Sequence, residues 1–178
     1  MTKSELRKAM RSLNRGVEAA RRAAVSLQLV ARVESLPFFA QARTVGLYCA
    51  LPDEPDLSEG LRRWSGSKRL ALPRVEGDAM RLFDYDPRTL VRGAFGILEP
   101  GPEARLCPPG EIDLLLIPGV AFTREGARCG RGRGYYDRYL SQPGFRGVKI
   151  GICYAHQVVD DLPLEAHDVR MDGLIFVE

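Results

Sequence analysis

Residues 113–140, DLLLIPGVAFTREGARCGRGRGYYDRYL, bring together the residue types that bind anions. Asp113 to Ile117 is an apolar run that predicts a buried strand. Residues 118–133 form a loop with glycines at 119, 126, 130 and 132 and arginines at 124, 128, 131 and 133. Gly134 to Leu140 predicts the opening of a helix, with Tyr135, Tyr136 and Asp137 in its first turn. Glycines let backbone N–H groups approach oxygen atoms closely. A helix start adds unpaired N–H donors, and arginines add forked charge that matches phosphate geometry. The string is neither Gly-x-x-x-x-Gly-Lys-Ser/Thr nor G-x-G-x-x-G, since position 135 is Tyr. The residues alone therefore point to a phosphate-bearing ligand without naming it.

Two other places carry candidate chemistry. Lys3, Arg7 and Arg11 recur every fourth residue and share one face of the N-terminal helix. Spacing alone slightly favours a solvated basic face over a second wall for the anion. Leu51-Pro52-Asp53-Glu54-Pro55-Asp56 places carboxylates after an apolar run, where ligands sit in open α/β sheets. Asp56 has a simple task as a helix cap, so Glu54 is the better functional candidate. His156 follows a strand end and is a candidate ligand contact. His167, in Glu165-Ala166-His167-Asp168, reads as a local hydrogen-bonding residue.

The scaffold for these groups follows from periodicity. Residues 2–35 predict helix, divided at Asn14-Arg15-Gly16. Its apolar positions include Leu6, Met10, Leu13, Val17 and Leu27, and Thr2 or Ser4 is placed to cap it. Strands are expected at 44–50, 68–73, 80–85, 112–117, 148–154 and 173–177, and further helices at 56–64 and 134–141. Residues 86–110 read as a long irregular connection. This alternation argues a single-domain layered α/β fold over 1–178, Rossmann-like, with a mainly parallel central sheet flanked by helices. Ligand is then expected at the carboxyl ends of the strands, after Ala50 and Ile117.

The chain of 178 residues is long enough for a full core, and 45% apolar with 28% charged residues is a globular composition. A net charge of +3, from 26 basic and 23 acidic residues, is too weak to argue for general nucleic-acid binding. Cys49, Cys107, Cys129 and Cys153 are scattered, with no C-x-x-C pair to suggest zinc or a disulfide framework. Cys49 and Cys153 read as core residues, and Cys129, in the loop, as partly exposed. No run approaches the ~20 apolar residues of a membrane span, and no signal peptide is visible. A cytoplasmic monomer without nucleic-acid or membrane partners is the expectation.

With these residues in place, the sequence resembles the 5-formyltetrahydrofolate cyclo-ligase (methenyltetrahydrofolate synthetase) family. The resemblance rests on Pro118-Gly119-Val120-Ala121-Phe122, then Gly126-x-Arg128-x-Gly130-x-Gly132-x-Gly134-Tyr135-Tyr136-Asp137. Lys3-x-x-Leu6-Arg7, Glu54, Pro73, Gly96-x-x-Glu99-Pro100, His167-Asp168 and Asp172 support it along nearly the whole chain. The resemblance implies an enzyme that uses ATP and magnesium to close 5-formyltetrahydrofolate to 5,10-methenyltetrahydrofolate. It implies that Lys3, Arg7, Arg128, Arg131 and Arg133, with Gly130, Gly132 and Gly134, hold the ATP phosphates. It implies that Asp137 binds magnesium and that Glu54 orients the folate. Tyr135 and Tyr136 would lie near the pterin or the phosphates, and Arg128, Tyr136 and Glu54 would carry catalysis.

Two positions depart from the family pattern. Thr123 stands where Asp is common, which would remove a carboxylate near the magnesium, and Cys129 stands where Leu is common. Thr123 motivates an alternative: a folate- or nucleotide-binding protein of the same fold that has lost turnover. An RNA-binding module built on the Arg-Gly-Arg-Gly segment and its tyrosines is opposed by the modest net charge.

Overall fold

The four residues of Leu114–Ile117 are all buried, and their alternation explains the layers. Leu114 and Leu116 pack on one side of the sheet and Leu115 and Ile117 on the other. A strand with two dry faces must be covered by other elements on both. The computed structural model describes the backbone of residues 1–178 and every side chain except that of Ala94.

In chain order the helices are α1 (Lys3–Arg15), α2 (Ala19–Glu34), α3 (Pro37–Gln41), α4 (Ser58–Trp64) and α5 (Tyr135–Ser141). The strands are β1 (Thr44–Gly46), β2 (Arg69–Glu76), β3 (Ala79–Asp84), β4 (Leu90–Arg92), β5 (Leu98–Pro100), β6 (Leu114–Ile117), β7 (Ala121–Phe122), β8 (Arg128–Cys129), β9 (Val148–Ile152) and β10 (Gly173–Ile175). The central sheet runs β10-β9-β6-β1-β2-β3, parallel except for the antiparallel β2–β3 hairpin. The expected mainly parallel α/β sheet is therefore present. The chain leaves β1 toward β2 and later returns to β1's other side as β6. That reversal opens a crevice beyond the carboxyl ends of β1 and β6.

Val25, Leu29, Val30 and Val33 of α2, with Phe39 and Trp64, cover one face of the sheet. Tyr139 and Leu140 of α5, with Phe122, cover the other. Leu6 and Met10, one turn apart on α1, pack on Val120, Ala121, Ala127 and Cys129 of the β7–β8 ribbon. That contact brings the first helix to the arginine loop. Thr2 closes α1 with a capping box: Glu5 N–H donates to Thr2 Oγ1 at 3.2 Å, and Thr2 N–H donates to Glu5 Oε2 at 2.7 Å.

Several boundaries differ from the expectation. The division of residues 2–35 falls at Gly16 as expected, but Leu13 and Leu27 are exposed. The expected strand 44–50 pairs only through Thr44–Gly46. Leu47 N–H still reaches Ala71 O at 3.0 Å, and Leu47 and Tyr48 remain buried as the chain leaves the ladder. Apolarity there reports burial rather than pairing. The loop 118–133 contains the short β7–β8 ribbon, and residues 86–110 contain the β4–β5 ribbon. Strands of two or three residues leave no readable alternation.

Phe122 is fully buried between two glycines. A Cβ at Gly119 would lie 2.6 Å from Phe122 Cζ, and one at Gly151 would lie 2.6 Å from Cε1. This ring anchors the arginine-bearing ribbon to β9. Gly151→Ala should overpack the site and cost ~1–3 kcal/mol. Urea unfolding should show a lower midpoint with an unchanged slope, and an unchanged midpoint would contradict this packing.

Candidate active site

A cleft of about 660 Å³ opens where the reversal of the sheet places it. Its two ends differ in chemistry. One is basic, with Lys3, Arg7 and Arg11 from α1 and Arg128, Arg131 and Arg133 from the loop. The other is largely apolar, with Pro73, Val75 and Met80 from the β2–β3 hairpin and Phe95 and Ile97 from the β4–β5 ribbon. Phe95 is 61% exposed and is the one described non-glycine residue with positive φ, at 63°.

At the basic end, the structure partners each cation differently. Lys3 Nζ donates to Asp168 Oδ2 at 2.7 Å, and the Asp168 side chain is only 5% exposed. Burial opposes the lysine's charge, but Asp168 outweighs it and holds the Lys3 pKa above its ordinary value. Burial likewise opposes the Asp168 charge, and Lys3 brings that carboxyl below its ordinary value. Arg7 Nε donates to Gly130 O at 2.8 Å. Arg128 is buried and donates from Nε to Pro118 O at 2.8 Å. Its guanidinium carbon lies 4.9 Å from the centre of the Tyr136 ring. Among the described residues no carboxylate pairs with Arg128, and burial pulls its pKa down. The stripe of Lys3, Arg7 and Arg11 on α1 is thus a wall of the cleft rather than the solvated face that spacing alone favours.

Gly132 and Gly134 have φ of +107° and +72°, which side-chain-bearing residues rarely adopt. They carry the backbone around the basic end into α5, a helix of only seven residues. The arginines therefore supply most of the positive charge. Asp137, in the first turn of α5, lines the cleft and accepts from Val169 N–H at 3.2 Å. Tyr136 is half-buried, and burial pushes its phenol pKa up. Tyr135 reaches Gly77 O at 3.4 Å through its hydroxyl, toward the apolar end.

Glu54 stands between the two ends. It is 5% exposed and accepts from Leu51 N–H at 2.9 Å and from Arg131 Nη2 and Nε at 3.0 and 3.1 Å. Arg131 Nη2 also donates to Asp53 Oδ1 at 2.7 Å. Burial raises the Glu54 pKa, and Arg131 pulls against it without restoring the ordinary value. Arg131, expected on the phosphates, is therefore bound to the carboxylates that follow β1.

Other expectations are corrected. His156 does not line the cleft; its Nε2 pairs with Asn14 Oδ1 at 2.6 Å and its ring stacks on Tyr154. His167 is exposed at the rim, 3.1 Å from Glu165 Oε2, in keeping with a local role. Glu165, His167 and Asp168 bring donor atoms within 4.8 Å of one another there, with Lys3 already seated on Asp168. Cys129 is 1% exposed, because α1 covers the ribbon. Thr123 is buried in the ribbon turn, where its Oγ1 accepts from Ala127 N–H at 3.2 Å, away from the cleft lining. The missing carboxylate at position 123 thus lies away from the site, and with it goes the motive for a turnover-deficient reading.

Sequence reasoning missed the residues that hold the site from behind. Arg22 of α2 donates from Nε to Glu54 O at 2.9 Å and from Nη2 to Leu51 O at 3.3 Å. One turn on, Ser26 Oγ accepts from Asp56 N–H at 2.9 Å, and Tyr48 donates from its hydroxyl to Pro55 O at 2.8 Å. Gln157, 1% exposed, donates to Gly119 O and Val120 O at 2.9 and 3.0 Å and fixes the start of the loop. The i, i+4 spacing of Arg22 and Ser26 is visible in the sequence, but the carbonyls and amide they hold are about 30 residues away.

A family model described as the 5-formyltetrahydrofolate cyclo-ligase family matches residues 1–177. The 5-formyltetrahydrofolate cyclo-ligase of Mycolicibacterium smegmatis is 33% identical over 184 residues, spanning 98% of this chain and 93% of its own length. The NMR structure of Aquifex aeolicus 5,10-methenyltetrahydrofolate synthetase superposes with a TM-score of 0.89 at 38% identity, covering 99% of this chain and 90% of that one. A Mycoplasma pneumoniae 5,10-methenyltetrahydrofolate synthetase gives 0.78 at 28% identity, covering 98% of each chain. Among the described residues no helix is long and apolar enough to cross a membrane.

The clamp behind Glu54 has a measurable signature. Arg22→Ala should speed hydrogen exchange of the amides in 51–56 about tenfold, the scale of one lost charged hydrogen bond. Exchange in β6 and β9 should not change. Equal acceleration in the sheet would mean that Arg22 stabilises the fold rather than the turn.

Proposed function

The chain belongs to the 5-formyltetrahydrofolate cyclo-ligase family, and we propose how its residues divide the work of that ATP-dependent ring closure. The enzyme converts 5-formyltetrahydrofolate to 5,10-methenyltetrahydrofolate and releases ADP and phosphate. The formyl oxygen attacks the γ-phosphorus, ADP leaves, and a phosphorylated imidate forms. N10 then attacks the activated carbon and phosphate departs. No protein nucleophile is required, so the chain must position two substrates and stabilise moving charge.

The observation that carries the assignment of residues is Arg128. A buried guanidinium without a carboxylate partner among the described residues is costly in a ligand-free protein. An oligophosphate supplies the missing anion. Lys3, Arg7, Arg128 and Arg133, with the backbone of 130–134, hold the ATP phosphates at the basic end. Tyr136 stacks on Arg128 and keeps its fork in one orientation. Asp137 suits magnesium: it is a carboxylate facing the cleft, and only one described hydrogen bond reaches its side chain. Magnesium typically takes one or two carboxylates together with substrate phosphates and water. When bound it neutralises phosphate charge.

The folate lies across Glu54 into the apolar end, with Tyr135 beside it. Glu54 orients the folate near the formyl group. Arg131 pairs with that buried carboxylate and pulls against its burial, so it belongs to the folate side more than to the phosphates.

Purified protein given 5-formyltetrahydrofolate, ATP and magnesium should build up methenyl absorbance. No ATP-dependent product at high enzyme concentration would overturn the reading. In the same assay Arg133→Ala should raise the KM for ATP about tenfold or more, as expected for a lost charged phosphate contact, and leave the folate KM nearly unchanged. Equal loss on both would move Arg133 off the phosphates.

A second test uses acid. Burial drives the Glu54 pKa upward and Arg131 is the cation that restrains it. Arg131→Ala removes the restraint, so the carboxylate protonates at higher pH. The acid limb of kcat/KM for folate should shift to higher pH. An unmoved limb would show that Glu54 is not the titrating group.

A further inference from the structure

Glu99 is the cleft carboxylate for which the described structure supplies no partner. It lies on β5, opposite Val91 of β4, and its half-buried side chain lines the apolar end of the cleft. Its carboxyl crosses directly over Gly93: a Cβ there would lie 1.9 Å from Glu99 Cδ and 2.2 Å from Oε1. Glycine at 93 is what leaves room for the carboxyl.

Among the described residues no group donates a hydrogen bond to Glu99 and no cation pairs with it. The nearby cation is Arg74, and it is committed elsewhere. Arg74 donates to Glu76 Oε1 at 2.8 and 3.1 Å, and to Gly101 O and Pro100 O at 2.7 and 3.3 Å. It acts on Glu99 only through space, and burial raises the Glu99 pKa against it. Glu54, by contrast, already accepts three hydrogen bonds, from Leu51 N–H and Arg131. A carboxylate kept partly out of water without a donor is an acceptor waiting for one.

Its surroundings define the donor. Pro73, Val75, Met80 and Ile97 form apolar walls suited to a flat ring. A carboxylate offers two parallel acceptors and is best met by two adjacent N–H groups. The 2-amino-4-oxo pyrimidine edge of a pterin presents such a pair, the 2-amino N–H and N3–H. The adenine of ATP does not, because its 6-amino donor sits beside the N1 acceptor. Resting on the cyclo-ligase reading of the cleft, we infer that Glu99 is the specificity-determining residue that recognises the 2-amino-4-oxo edge of the folate pterin and orders the two substrates in the cleft.

The test separates this assignment from the reaction itself. Binding is measured by calorimetry, so it is read whether or not turnover occurs, and methenyl formation is followed in parallel. Wild-type protein should bind 5-formyltetrahydrofolate at least tenfold more tightly than its 2-desamino analogue. Glu99→Gln keeps the shape over Gly93 but replaces one acceptor with a donor. It should weaken 5-formyltetrahydrofolate binding at least tenfold, bind the two folates within about twofold of each other, and leave ATP affinity within about twofold. Wild-type binding that ignores the 2-amino group would overturn the assignment without any variant. So would a Glu99→Gln protein that keeps the wild-type preference, or one that loses ATP and folate affinity equally. Absent turnover with intact discrimination would overturn the cyclo-ligase reading and leave the Glu99 assignment supported.

Discussion

Mutual repulsion among like charges is the constraint on which the basic end depends. Lys3, Arg7, Arg11, Arg128, Arg131 and Arg133 all line one end of a single cleft. In a ligand-free protein such a group is tolerated only if its charge is met nearby. The structure meets it unevenly. Lys3 rests on Asp168, and Arg131 on Asp53 and Glu54. Among the described residues, Arg7 and Arg128 donate hydrogen bonds only to the carbonyls of Gly130 and Pro118, and Arg128 also faces the Tyr136 ring. Among the arginines, Arg7 and Arg128, met by dipoles rather than by full negative charges, are the ones with most charge left for a ligand. The same distribution separates the arginines proposed to bind phosphate from Arg131, which is paired with two carboxylates.

The fold brings these groups together without filling the space between them. Leu6 and Met10 dock α1 on the β7–β8 ribbon, and Phe122 docks that ribbon on β9. The residues next to those contacts, Arg7 on the helix and Arg128 on the ribbon, then line the cleft. Arg22, Ser26 and Tyr48 do the same for the 51–56 turn. Catalysis that relies on positioning requires this rigidity, because a misplaced charge stabilises the wrong geometry.

What is legible in the sequence follows from the range of the physics involved. The buried run 114–117 and the helix divided at Gly16 are local patterns, and they can be read directly. The anion loop is readable because glycine and arginine are dense within one segment. The partner of Arg131 is not, since Glu54 lies 77 residues away and either phosphate or carboxylate satisfies a guanidinium. Cys129 misleads because a glycine-rich loop signals exposure, whereas here α1 covers the ribbon. The strand expected at 44–50 is too long because Leu47 and Tyr48 are buried without being laddered. Glu99 carries only a family resemblance in the sequence, and its meaning depends on the absence of a partner, which no pattern records.

Glu54 and Glu99 show how one cleft can hold two acids in opposite states of readiness. Burial raises both carboxyl pKa values, yet only Glu54 is given a cation by the described structure. A carboxylate that must already be charged when the substrate arrives needs such a partner, because desolvation otherwise favours its neutral form. A carboxylate whose task is to accept N–H groups from the substrate is supplied with its donors on binding. The two acids therefore need different treatment. Arg131 pairs with Glu54 at the junction of the cleft's two ends and pulls against its burial, whereas Glu99, over Gly93, is left to be satisfied from the cleft.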